Sequence, residues 1–264
     1  MQDPGILERA LRRDRLLVVI CLIFVTCLAA AYILAGAGMD MSAWQMSKPM
    51  RHMGAMAFTP WSASHAVIMF LMWWVMMIAM MLPSASPTIL LATALNRRSQ
   101  AESPPYGSTA MFSLGYLLAW AGFSAIAVLA QWALERSSML SMHLETLPST
   151  LSGGLLLLAG IWQLTPLKAA CLRHCRSPAE FLVQNRRSGP LGALTMGAHH
   201  GLYCLGCCWA LMTLLFVGGV MNLAWIVGLA FFVLVEKLVP VGARFGRLSG
   251  FVLLLAGLYV LLPI

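Results

Sequence analysis

Residues 196–212 read MGAHHGLYCLGCCWALM, inside an apolar run from about Leu191 to Val220. A run of that length can cross the ~30 Å hydrocarbon core of a bilayer as one helix. Set into it are His199, His200, Cys204, Cys207 and Cys208. A helix turns ~100° and rises ~1.5 Å per residue, so His200, Cys204 and Cys207 fall within roughly 60° of one another. Cys208 sits at the edge of the same face, and His199 points about 100° away. Thiolates and imidazoles are the ligands of soft metals such as Cu(I) and Zn(II). Ionisable groups are costly in a membrane helix and mark function by default. A lone cysteine there would read as a small hydrophobe. Three cysteines and a histidine on one side of one helix favour metal or thiol chemistry.

The remainder of the chain supplies the setting. It has 264 residues, 60% hydrophobic and only 10% charged, with a mean hydropathy of +0.82. Such a chain reads as a polytopic integral membrane protein. A spanning backbone must satisfy its own hydrogen bonds, so the expected fold is all-α, one helical bundle over residues 1–264. Seven spans are expected, near 16–37, 65–82, 108–134, 150–164, 191–218, 221–239 and 248–262. The net charge of +8 does not indicate a nucleic-acid partner, because the basic residues fall on alternate loops. Of the 17 Lys and Arg, all but Lys48, Arg51 and Arg136 lie on one side of that arrangement. By the positive-inside rule the N-terminus is cytoplasmic and the C-terminus outside, in the inner (plasma) membrane. The first apolar run is too long for a cleavable signal peptide. No phosphate-binding loop or other nucleotide motif occurs.

Soft ligands recur along the chain. The expected extracytoplasmic loop, 38–64, holds Met39, Met41, Met46, Met50, Met53 and Met56. Thioethers bind Cu(I) without deprotonation, which suits an oxidising compartment; adaptable apolar filler is the competing reading. Met69, Met76 and Met80 continue as a stripe along the second span, which Pro83 and Pro87 should kink or end. Met139, Met142 and His143 form a second Met/His set on the same side. In the expected cytoplasmic loop, 167–189, Cys171, His174 and Cys175 stand at i, i+3, i+4 and can face one way on a helical turn. Cys21 and Cys27 read as packing residues. Glu236 and Lys237 read as a salt bridge at the cytoplasmic interface, ahead of Glu236 buried as a proton or metal ligand.

Several of these residues together carry a resemblance. They are Trp73, Met76-Met77, Ala79-Met80-Met81 and Pro83, then Pro166-Leu167-Lys168, Cys171 and Cys175. Cys204-Leu205-Gly206-Cys207-Cys208-Trp209, Met221-Asn222, Trp225 and Glu236-Lys237 complete the set. From about Trp73 to Lys237 the chain resembles an uncharacterised bacterial family of predicted metal-binding integral membrane proteins, a domain-of-unknown-function family. The resemblance implies a polytopic membrane protein that binds metal, without implying a reaction.

The functional expectation is a non-enzymatic membrane protein binding a soft ion, Cu(I) before zinc, for transport or delivery. Its partners would be the lipid bilayer and a copper chaperone or cuproenzyme. Metal would be collected at Met50, Met53 and Met56 and pass Met69, Met76 and Met80. It would then reach His200, Cys204, Cys207 and Cys208, with Cys171, His174 and Cys175 at the cytoplasmic end. Two readings of other classes compete: a thiol oxidoreductase using Cys204 and Cys207, and an assembly subunit in which Met and Cys only pack.

Overall fold

The computed structural model describes residues 4–37, 61–99, 106–137, 147–187 and 189–262. These residues form α1 (Pro4–Leu34), α2 (Ala63–Ser99), α3 (Tyr106–Arg136), α4 (Ser149–Leu164), α5 (Pro166–Arg176) and α6 (Pro178–Gln184). They continue as α7 (Gly189–Thr213), the short α8 (Leu215–Gly218), α9 (Leu223–Leu238) and α10 (Gly242–Leu261). Among the described residues there is no strand, and the expected all-α architecture holds.

The number of long apolar helices differs from the expected seven. Five stretches are long and apolar enough to cross a membrane: Arg12–Leu34, Ala63–Arg97, Gly107–Arg136, Gly189–Gly218 and Gly242–Leu261. A sixth arises if α4 and α5, bent by 65° at Thr165, are taken as one broken span. α4 and α9 have 16 residues each, which at ~1.5 Å per residue is ~24 Å of helix.

Of the two effects expected of the prolines, ending the helix does not occur. Pro83 and Pro87 lie inside α2, which runs on to Ser99 instead of ending near Leu82. A proline lacks the N–H that would bond the carbonyl four residues back. At Pro87 that carbonyl belongs to Pro83, and the Ser86 hydroxyl donates to it at 2.8 Å. The neighbouring hydroxyl thus covers the lost rung, and the helix continues.

α3 and α7 pack backbone to backbone. A Cβ on Gly115 would collide with the Leu194 carbonyl, and one on Gly197 with the Phe112 carbonyl. Small residues at such seams let helices approach closely without a large side chain between them. α4 and α10 form a second seam of this kind through Gly153, Gly160, Gly250 and Gly257, whereas Gly154 faces open space. α1 is tied to α2 by Arg97, whose Nε and terminal nitrogen donate to the two oxygens of buried Asp14 at 2.5 and 3.0 Å.

The bundle is apolar on its outer faces as well as in its core, and a few polar groups lie inside. Ile23 and Phe24 on α1, Ile126 and Leu129 on α3, and Leu255 and Tyr259 on α10 are all exposed. Gln131, Lys168, His200, Glu236 and Lys237 are buried. Buried polar groups must be satisfied or they are costly, and most of these converge on one place.

Candidate functional site

α7 supplies the centre of that place. Cys204, Cys207 and Cys208 are all buried, as their shared helical face requires. The Cys207 and Cys208 thiols each donate to the Cys204 carbonyl at 3.0 Å, so both S–H groups are held against their own helix. Cys208 also lies 3.9 Å from the Met81 thioether of α2.

α5 runs alongside α7 at the same level. Its start is fixed by Thr165, whose hydroxyl accepts from the Lys168 backbone N–H at 3.2 Å, with Pro166 at the first helical position. Proline is well suited there because its missing N–H would be unpaired in any case. The helix packs on α7 and sets the Cys175 thiol beside Cys204 and Cys207. Cys171 Sγ packs against Gly206, where a Cβ would stand only 2.7 Å from it. The stretch read as a cytoplasmic loop is therefore largely helical and carries two of its cysteines against α7. His174 meets α7 as well, at Tyr203: its ring stacks on that phenol, centroids 4.1 Å apart, and its Nδ1 lies 2.9 Å from the Ala170 carbonyl.

α9 contributes a charge. Lys237 Nζ donates to Cys204 Sγ at 2.9 Å and to Ser84 Oγ at 3.1 Å. Its neighbour Glu236 pairs with Lys168 of α5, Nζ to Oε1 at 2.5 Å, with both side chains nearly fully buried. The expected Glu236–Lys237 salt bridge is absent for a geometric reason. Adjacent residues on a helix point about 100° apart and do not face each other. Tyr116 of α3 closes the cluster, its hydroxyl 3.1 Å from Cys204 Sγ and 3.2 Å from the Met81 carbonyl.

His200 lies one turn from Cys204 and is 2% exposed. Its ring is enclosed by Phe181, Tyr116 and Phe112, with centroids at 5.2, 5.8 and 6.1 Å. Its Nδ1 has no hydrogen-bond partner. Met69, Met76 and Met80 are buried along α2, and Met69 Sδ accepts from Gln131 Nε2 at 3.5 Å. Met50, Met53 and Met56, with the rest of the methionine-rich loop and Met139, Met142 and His143, lie outside the described residues.

Among the described residues, no three His, Cys, Asp or Glu side chains form a ready metal cage. The cause is visible at each sulfur: two thiols are turned to a backbone carbonyl, and the third is engaged by an ammonium and a phenol. The donor set is nevertheless soft throughout, four thiols and a thioether, which is the chemistry that selects Cu(I).

Sequence periodicity finds the α7 cysteines but not Met81, Ser84, Tyr116 or Lys237, which arrive from other helices. Lys237 had one signal, a cation closing an apolar run.

A buried cluster of thiols with an ammonium beside one of them, inside a bundle of long apolar helices, has the donor types that soft-metal and thiol chemistry use. The copper chaperone family PpoB2 matches residues 70–260, and the chain belongs to that family. No curated protein and no solved structure matches it.

Proposed function

We propose that this protein is an inner-membrane copper chaperone that binds Cu(I) among Cys175, Cys204, Cys207 and Cys208 and passes it to a cuproenzyme. The observation that carries the reading is the buried trio Cys204, Cys207 and Cys208 on one helix, with the Lys237 ammonium bonded to Cys204 and Cys175 brought alongside by α5. Membership of a copper chaperone family supports the choice of metal. The exposed apolar faces of α1, α3 and α10 support the membrane setting, since large contiguous apolar surface seeks lipid or a partner.

Charge accounting favours Cu(I) over zinc. Two thiolates holding one monovalent ion carry one net negative charge, and Lys237 beside Cys204 brings the site to neutrality. A divalent ion on the same two thiolates would be neutral already, leaving the buried ammonium without a counter-charge, which is expensive in a low-dielectric interior. Two-coordinate Cu(I) also needs no closed cage, only two sulfurs able to turn inward.

Copper per protein, by elemental analysis of the purified chain in detergent, tests the reading. Replacing both Cys204 and Cys207 by Ser should abolish bound copper while the protein stays folded. Ser is nearly isosteric, and a buried hydroxyl can bond a backbone carbonyl, so the structural cost is about 1 kcal/mol per site. Cys21→Ser and Cys27→Ser, on the exposed face of α1, should retain it. Full copper occupancy in the double variant would overturn the proposal. A thiol oxidoreductase has one observation in its favour, the approach of Cys175 to Cys204 and Cys207. A reversible loss of two titratable thiols on oxidation, without copper binding, would select it.

A further inference from the structure

A cavity of about 300 Å³ opens where α2, α3, α6 and α7 meet, lined among others by Asn96, Ser108, Phe112, Arg186, Arg187 and Met196. Its inner wall leads toward the thiols along a single helix. Met196, His200, Cys204 and Cys208 follow at intervals of four residues on α7, each step a rise of ~6 Å with a drift of only ~40° around the axis. Met196 is half-buried at the cavity, where its thioether accepts the Arg187 backbone N–H at 3.3 Å. Phe112 both lines the cavity and packs on the His200 ring. His200 stands between the cavity and Cys204 with its buried Nδ1 unpartnered. An unsatisfied buried nitrogen is costly unless something else engages it, and neither packing nor the thiol cluster accounts for it.

We propose that this cavity is the port through which Cu(I) reaches and leaves the thiols, with Met196 and His200 as successive exchange ligands. The proposal rests on the copper reading of the thiol site. Arg186 and Arg187 at the mouth, both exposed, disfavour a bare cation and attract an anion. The form of copper that suits them is Cu(I) carried as an anionic bis-thiolate complex of a small thiol. Transfer is ligand exchange without redox change. At each step one bond from copper to the incoming donor forms and one to the outgoing donor breaks. The protons released by Cys204 and Cys207 on ligation are taken up by the departing carrier thiolates. A thioether and a neutral imidazole bind Cu(I) without losing a proton, so the intermediate positions require no proton transfer.

The test is the rate at which the copper-loaded full chain, in detergent, gives Cu(I) to the anionic chelator bathocuproine disulfonate. Loading in the other direction uses the Cu(I)–glutathione complex. Met196→Leu keeps volume and removes the soft donor; Ser108→Trp fills the cavity and touches none of the exchange ligands. Both should bind the parental amount of copper and exchange it at least about tenfold more slowly. His200→Phe keeps a ring in the aromatic enclosure and should slow exchange as Met196→Leu does. Parental exchange rates in Met196→Leu and His200→Phe, with parental copper content, would overturn the port while leaving the thiol site intact. If Ser108→Trp does not fold, those two variants decide the matter. A parent that takes up no copper would overturn both this proposal and the function on which it rests.

Discussion

Glu236→Gln is the substitution by which the architecture of the site is most directly tested. Glu236 and Lys168 form an ion pair whose side chains are 1% and 3% exposed. The pair joins α9 to α5, the two helices that bring Lys237 and Cys175 to α7. Glutamine keeps the shape of the side chain packed into the space beside Gly246, so the change isolates the charge. Removing one member of a buried pair leaves the other without compensation and costs ~3–5 kcal/mol. Here the penalty should lie at the upper end of that range, because the buried Lys237 is adjacent in the chain and adds a second positive charge to the same region. Replacing both partners, as in Lys168→Met with Glu236→Leu, removes the unpaired charge and should return stability to within about 1 kcal/mol of the parent. The assay is reversible unfolding in mixed micelles titrated with dodecyl sulfate, following helix content. A second readout is the rate at which Cys175 and Cys204 react with a thiol reagent, which should rise in the single variant as α5 and α9 loosen. A single-variant cost below about 1 kcal/mol, or a double-variant cost equal to the sum of the singles, would refute the clamp.

Other expectations concern the seams and the loops. Gly197→Ala places a methyl group against the Phe112 carbonyl and should cost ~1–3 kcal/mol as an overpacked contact. Gly154→Ala, which meets nothing, should be neutral or slightly stabilising through helix propensity; the same micelle titration measures both. Changing Met46, Met50, Met53 and Met56 together to Leu should leave abundance unchanged and lower cellular copper accumulation at low external copper. Equal accumulation in variant and parent would remove that loop from the copper path.

The part of the site that lies on one helix was legible in the sequence, because a 3.6-residue period places His200, Cys204, Cys207 and Cys208 together without reference to anything else. What periodicity could not supply is the partner of each. Lys168 reads as one more positive-inside residue, yet it is buried against Glu236. Lys237 reads as the partner of its neighbour, yet helix geometry forbids that and sends it to Cys204. The resemblance, by contrast, already contained Met81, Lys168, Cys175 and Lys237, scattered over more than one hundred and fifty positions and joined only by the fold. Pro83 and Pro87 left open whether the helix ends, because the cost of an interior proline was judged on the backbone alone. The serine that satisfies the freed carbonyl is invisible to that judgement.

On the proposed reading of a copper site within a membrane, the shortness of α9 has a consequence for how copper would meet the site. At ~24 Å it falls ~6 Å short of an average hydrocarbon core. Bilayers answer such mismatch by thinning around the short segment and drawing headgroups and water inward. Glu236 and Lys237 occupy the last turn of α9, and Arg176 reaches the Val239 and Pro240 carbonyls just beyond it at 3.0 and 2.7 Å. The polar boundary of the membrane would therefore dip toward the thiols on this side of the bundle. An ion leaving Cys204 would meet hydrated surroundings well before the level at which the longer helices α2 and α3 emerge. On that reading lipid thickness becomes a variable of the proposed site: in vesicles of longer-chain lipids the exchange rate should fall although no residue of the protein has changed.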